Sequence, residues 1–217
     1  MRRTRNRKKI INKALYWLGA GLMAAGLLVA LYPTFQNVYY RYVQAEKLEE
    51  AMEEIENSEE EVEETLEENP SLLPEDNPSE YPDELPSDQE GLLEIPALDI
   101  KLMIGYGVET EDLKTGPGFY PESEHPETGN VSIAGHRTTY GAPFRHLDQL
   151  EEADEILLHY QDQTYVYQVD RVFDISDTDW SVIDPTPTPA VTLTTCHPPG
   201  SAARRLVVRA YQGTESN

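Results

Sequence analysis

Nineteen consecutive residues, Ala14 to Tyr32 (ALYWLGAGLMAAGLLVALY), carry no charge. At about 1.5 Å per helical residue they come close to the roughly 30 Å of a bilayer's hydrocarbon core, more so with Ile10, Ile11 or Phe35 near the ends. RRTRNRKK stands in front of the run, where the positive-inside rule puts a cytoplasmic flank. A buried core helix leaves that basic flank without a reason. A cleaved signal peptide wants a shorter apolar region and an A-x-A site, which does not clearly follow. The run is read as an uncleaved signal anchor. Residues 1–13 are then a basic cytoplasmic tail, 14–35 the transmembrane segment, and the rest extracellular at the plasma membrane.

Charge divides the chain in the same way. Residues 1–45 hold eight basic and no acidic side chains, residues 46–90 hold twenty acidic side chains and one lysine, and the overall net charge is −23. In YYRYVQAEKLEEAMEEIENSEEEVEETLEEN, the apolar Leu48, Met52, Ile55, Val62 and Leu66 are nearly heptad-spaced, with Glu59 at the missing position. That spacing predicts a helix continuing past the bilayer and a weak coiled coil. From Pro70 to Glu90 a proline recurs every four residues among Ser, Asp and Glu, which predicts extended, solvated chain. Residues 36–90 are therefore expected to be an acidic extracellular stalk. So acidic a belt argues against nucleic-acid binding.

The folded part is expected over 91–217, enough for one core. IPALDIKLMIGYG reads as a first strand followed by a short connector, and VSIAGH, ILLHY, TYVYQVDRVFDI, VTLTTC and RLVVRAY read as strands, with Tyr165, Tyr167 and Val169 sharing one face by period two. PFRHLDQLEEA reads as a short helix or turn. Gly, Pro and Asp turns separate the strands and no long helices recur, so an all-β, closed or nearly closed domain is expected.

This domain contains the chain's single cysteine, Cys196, so no intrachain disulfide and no multi-cysteine zinc site can form. Cys196 closes VTLTTC just before His197, Pro198, Pro199 and Gly200, which stop the strand and put the thiol at a rim. An inert buried thiol is the plain alternative. Nucleophilic use needs the thiolate, which a nearby His or Arg favours. Among His125, His136, His146, His159 and His197, the adjacent His197 points to the opposite face of an extended segment. His136, at the end of GNVSIAGH, is a better partner because its strand also ends at a rim. Arg205 opens the strand after an eight-residue connection. If that strand pairs antiparallel with VTLTTC, its guanidinium returns beside the thiol, where it could meet a developing oxyanion. Arg204 would point to the other face. The acidic group Asp148, Glu151, Glu152, Asp154 and Glu155 is read as a solvated face, with no metal assigned.

GNVSIAGHRTTYGAPFRHLDQL and VTLTTCHPPGSAARRLVVRAY closely resemble the sortases, cell-wall cysteine transpeptidases of Gram-positive bacteria; IPALDI, LKTGPGFYP and DEILLHY resemble the same family in the same order. The resemblance spans about Ile95 to Tyr211. It implies a sortase-like eight-stranded β-barrel with short connecting helices, with His136, Cys196 and Arg205 as catalytic residues and Thr195 lining the substrate groove. It implies no cofactor. An LPXTG-type sorting signal of a surface protein would be cleaved between Thr and Gly through a Cys196 thioester. The Thr carboxyl would then pass to an amine of a peptidoglycan precursor.

HRTTYGAPF and TLTTCHP are most similar to the class E branch, which implies Tyr140 near the groove and room for Ala at the second signal position (LAXTG). LPSDQEGLLEI lacks an evident Asp-aromatic lid, which argues against the pilin-polymerising branch. A membrane-tethered sorting-signal peptide-binding protein without turnover, a pilin-polymerising sortase, and an enzyme inhibited by its own acidic stalk are the alternatives.

Overall fold

In a computed structural model, the described residues are 2–68, 85, 90–161 and 163–213, with side chains described at 13, at 15–53 and beyond the first helix. They fall into two compact units, Met1–Tyr39 and Tyr40–Asn217.

The first unit is the leading part of α1 (Arg2–Glu68), the one described helix long and apolar enough to cross a membrane. Leu18, Leu22, Leu27 and Val29 are all exposed, as a lipid-facing surface requires. Pro33 lies inside the helix, where its missing N–H removes one i→i−4 bond without ending the run. This is the arrangement of a single-pass membrane protein with its basic end cytoplasmic and its C-terminal domain outside.

The second unit is built on eight strands: β1 (Gly91–Ile95), β2 (Ile100–Tyr106), β3 (Gly118–Phe119), β4 (Asn130–Ala134), β5 (Glu155–Tyr160), β6 (Gln163–Ser176), β7 (Ala190–His197) and β8 (Arg204–Gln212). They close into a barrel in the order β1-β2-β3-β4-β7-β8-β6-β5, with short 3-10 turns in the connections. The expected all-β, eight-stranded barrel is therefore present. Period-two alternation sends Ile133 of β4, Leu193 of β7 and Val208 of β8 into the core, where each contributes about 1.5–3 kcal/mol by leaving water. Tyr165, Tyr167 and Val169 line that core from one face of β6, as their spacing predicts. An irregularity between Val169 and Arg171 then shifts the register of β6 against β8.

Three local features differ from the sequence reading. Where IPALDIKLMIGYG is expected to open on a strand and end in a connector, the order is reversed: a 3-10 turn at Pro96–Leu98 and a left-handed Asp99 (φ 52) come first, because Pro96 supplies no N–H for a ladder, and β2 follows. GLLEI upstream is a strand of its own, paired with both β2 and β5. Residues 36–90 are not all a stalk held apart from the fold. Tyr40, Gln44 and Leu85 are buried within the second unit, and Leu85 joins the core cluster with its N–H on Ser123 O at 3.2 Å. The proline-rich stretch falls outside the described residues except at Leu85 and Glu90. Of the heptad positions, Met52 is exposed, and the side chains of Ile55, Val62 and Leu66 also fall outside the described set.

Candidate active site

β7 and β8 pair antiparallel with Cys196 opposite Arg205, so the two side chains share one face of the sheet. Val191 and Leu193 occupy the alternate positions and point into the barrel, which puts Cys196, Thr194 and Arg205 on its outer wall. The thiol is free and half-buried. Arg205 donates from one guanidinium nitrogen to Ala202 O at 3.0 Å and to Arg204 O at 3.2 Å, which ties it to the β7–β8 connection. Arg204 turns away and ion-pairs with Asp174.

β4 runs parallel to β7 on its other side, with Ala134 opposite Thr194 and Gly135 N–H donating to Thr194 O at 3.1 Å. Continuing that register by two residues brings His136 level with Cys196. Gly135 is required here: a Cβ would lie 2.5 Å from the ring of the fully buried Phe144. Phe144 N–H in turn bonds His136 O at 3.1 Å and closes the loop after the histidine. The His136 ring packs against Tyr140, centroids 5.0 Å apart and planes at 36°. Its Nε2 is buried without a hydrogen-bond partner, and burial lowers its pKa from the ordinary value, so at neutral pH the imidazole is uncharged. A neutral imidazole at this place can accept a proton from a thiol and return it to an amine.

Thr195, expected to line the groove, is buried on the barrel side. Its hydroxyl donates to Gly135 O at 2.7 Å and so fixes the residue before His136. Three of the other histidines lie elsewhere. His125 packs between Tyr160 and Tyr165, His146 is on the surface beside Gln149, and His159 of β5 meets Glu94 and Thr164.

Three residues at the site had no signal in the spacing. Arg137, only 2% exposed, donates to Asp148 at 2.9 Å and lies 2.8 Å from His197 Nδ1, with a longer 3.5 Å bond to Cys196 O. The neighbour of one predicted catalytic residue is thus bonded to the neighbour of the other. Tyr120 is buried with its hydroxyl 2.8 Å from Thr194 Oγ1; burial raises its pKa, and Arg205 and Cys196 both lie near enough to act on it electrostatically. Trp180, exposed on the β6–β7 connection, meets Tyr120 edge-on at 6.2 Å. That connection is anchored from below. Val182 O accepts from Asn130 Nδ2 at 3.1 Å and from the buried Arg209 guanidinium at 2.6 Å, while Asn130 Oδ1 accepts from Thr192 at 2.6 Å.

The acidic turn is partly committed within itself: Asp148 binds Arg137, and Asp154 accepts from Glu151 N–H at 2.8 Å. Among the described residues, no group of three or more His, Cys, Asp or Glu could hold a metal ion.

The family model described as a sortase domain matches residues 93–212, which include β4, β7 and β8. Sortase SrtE1 of Streptomyces coelicolor is 33% identical over 54% of this chain and 38% of its own length. Sortase D of Bacillus subtilis is 34% identical over 54% of this chain and 61% of its own. The chain thus spans between about two fifths and three fifths of these curated relatives. Among solved structures, that of S. coelicolor sortase E1 with a tripeptide in its active site superposes with a TM-score of 0.56 at 31% identity, covering 59% of this chain and 90% of that one. A Clostridium perfringens sortase D5 transpeptidase gives a TM-score of 0.60 at 27% identity, covering 80% and 99%.

Proposed function

The chain belongs to the sortase family, and from that premise we propose that it is a membrane-anchored cysteine transpeptidase acting on surface-protein sorting signals. The observation that carries the proposal is the pairing of Cys196 with Arg205 on the outer barrel wall, with His136 two residues beyond the end of β4, where the β4–β7 register, extended, meets the thiol. Neutral His136 takes the proton of the Cys196 thiol, and the thiolate attacks the Thr carbonyl of an extended LPXTG- or LAXTG-type peptide. Arg205 donates to the oxygen as it becomes negative, swinging from Ala202 O and Arg204 O. The C–N bond to Gly breaks as His136 returns its proton to the leaving amine. An acceptor amine of a cell-wall precursor then attacks the thioester, gives its proton to His136 and expels the Cys196 thiolate, so one amide replaces another without an energy source. The packing of Tyr140 on His136 and the class E-like HRTTYGAPF motif support a substrate-contacting role for Tyr140.

The test uses the full chain in detergent micelles with LPETG and LAETG peptides, with and without an amine, followed by mass spectrometry. A Thr–amide adduct that is lost in Cys196→Ala and falls about 10²–10³-fold in Arg205→Ala is the expected result. Cleavage without adduct would move the assignment to a protease. Binding with no acyl-enzyme would move it to a peptide-binding module.

A further inference from the structure

Between Tyr40 and Ala51 the acidic composition conceals a stripe. Tyr40, Val43, Gln44, Lys47, Leu48 and Ala51 are the less exposed positions, while Arg41, Tyr42, Ala45, Glu46, Glu49 and Glu50 face solvent. That spacing is one face of a 3.6-residue helix. The face belongs to the same unit as the barrel and meets it through side chains of definite geometry.

Gln44, 7% exposed, uses its whole amide on β2 and the segment after it. Nε2 donates to Thr115 O at 2.7 Å and Met103 O at 3.3 Å, and Oε1 accepts Met103 N–H at 2.9 Å. Lys47, one turn on, ion-pairs with Glu90 at the start of β1. One turn earlier, Tyr40 is 5% exposed, and its ring lies so close to Gly141 that a Cβ there would come within 2.1 Å of ring carbon Cδ1.

Gly141 is the middle of three successive residues with left-handed backbone: Tyr140 (φ 48), Gly141 (φ 76) and Ala142 (φ 51). Two of them carry a Cβ and are strained in that region, which persists only where the surroundings hold it. Ala142 N–H on Thr139 O at 2.8 Å, Arg145 N–H on Ala142 O at 3.1 Å and Phe144 N–H on His136 O are among the loop's own contributions. The Tyr40 ring is pressed on the middle of the strained run. The first residue of that run is Tyr140, whose ring packs on His136.

We propose that the helical segment 40–51 is an in-chain strut for the His136 loop, in which Tyr40 is a positioning residue acting through Gly141 and Tyr140 on the His136 imidazole. Gln44 fixes the rotation of the strut by pinning one face of it to Met103 and Thr115. The consequence for turnover rests on the transpeptidase reading; the strut itself does not.

The test therefore reads loop order separately from activity, in the full chain in micelles. Hydrogen exchange over 137–142 should rise at least tenfold in Tyr40→Ala and in Gln44→Ala, with 191–197 and 204–211 unchanged. kcat on the better peptide should fall severalfold with KM little moved. Tyr40→Phe should behave as wild type, because the buried Tyr40 hydroxyl has no hydrogen-bond partner to lose. Gly141→Ala, which drives a methyl into the Tyr40 ring, should loosen the same loop yet add less than twofold to Tyr40→Ala. Unchanged exchange over 137–142 in Tyr40→Ala, or a rise shared equally by β7 and β8, overturns the strut. Selective loosening with no turnover even in the wild type upholds it and defeats the transpeptidase assignment instead.

Discussion

Arg137 and Asp148 form an ion pair of unequal burial, 2% against 49% exposed, and the inequality predicts which partner can be removed at less cost. In Arg137→Met the buried cation goes, and the half-exposed Asp148 carboxylate is taken over by water. What is lost is the charged hydrogen bond to His197 Nδ1 and the long one to Cys196 O, a net cost of about 1–2 kcal/mol once recovered desolvation is counted. In Asp148→Asn the guanidinium stays in place, almost without solvent and without its counter-charge. Breaking a buried pair in that sense costs about 3–5 kcal/mol, reduced to about 2–4 because the Asn carbonyl still accepts one bond. The carboxylate-to-amide change, sterically the milder of the two, should therefore be the worse by about 1–2 kcal/mol. For a unit of this size each kcal/mol moves Tm by about 2–4 °C, so Asp148→Asn should melt about 2–8 °C below Arg137→Met. The double variant should be no less stable than Arg137→Met alone. Thermal unfolding of the full chain in matched micelles, followed by near-UV circular dichroism, measures all three. An Arg137→Met protein that melts at or below the temperature of Asp148→Asn would refute the reasoning, since the desolvated cation would then not be the dominant liability.

Asn130→Ala removes the amide that donates to Val182 O and Asp184 O, leaving Arg209 as the side-chain donor to Val182 O, and also removes the acceptor for Thr192. It should free the turn carrying Trp180, raising KM for the sorting peptide about tenfold with kcat changed less than threefold in steady-state assays; a loss confined to kcat would contradict the anchoring role. Burial lowers the pKa of both His125 and His136. The unfolded chain therefore binds more protons than the folded one as pH falls through about 6.5, and stability should decline on acidification from there. Tm measured from pH 7.5 to 5 should fall less steeply in His136→Asn than in wild type, and identical slopes would show that His136 is not held neutral by the fold.

The candidate trio His136, Cys196 and Arg205 was legible as spatial neighbours because each member sits where a strand pattern breaks. VSIAGH and VTLTTC are buried runs that end at a rim, and the register that makes Arg205 the partner of Cys196 follows once the two strands are antiparallel. Alternation also contained a signal that the resemblance overrode. Thr195 is one residue from Cys196, so its side chain had to point the other way, toward the face of Leu193, and its buried bond to Gly135 O is what that parity predicts. GLLEI was missed because five residues, one of them Gly, are too few to display a period. Gly118–Phe119 is shorter still.

Arg137, Tyr120 and Trp180 illustrate a different limit. Each acts across the barrel rim on a residue far away in sequence, and a charged or aromatic side chain in a turn looks the same whether it is solvated or buried against a strand end. The stretch 40–51 lies between these cases. Its 3.6-residue stripe is present in the sequence, but a boundary drawn by charge at residue 46 cuts it in two, leaving Tyr40, Val43 and Gln44 on one side and Lys47, Leu48 and Ala51 among the acidic residues on the other. Sortase catalysis would place two demands on the same loop: His136 must stay uncharged and aimed at the thiol, yet its loop must remain open enough to admit a peptide. Gly135 and Phe144, just past the end of β4, would meet the first by holding the His136 backbone. The second is met by leaving Tyr140–Ala142 in a strained turn outside the sheet, and a strained turn needs support from a residue beyond its own span, which in this chain Tyr40 supplies.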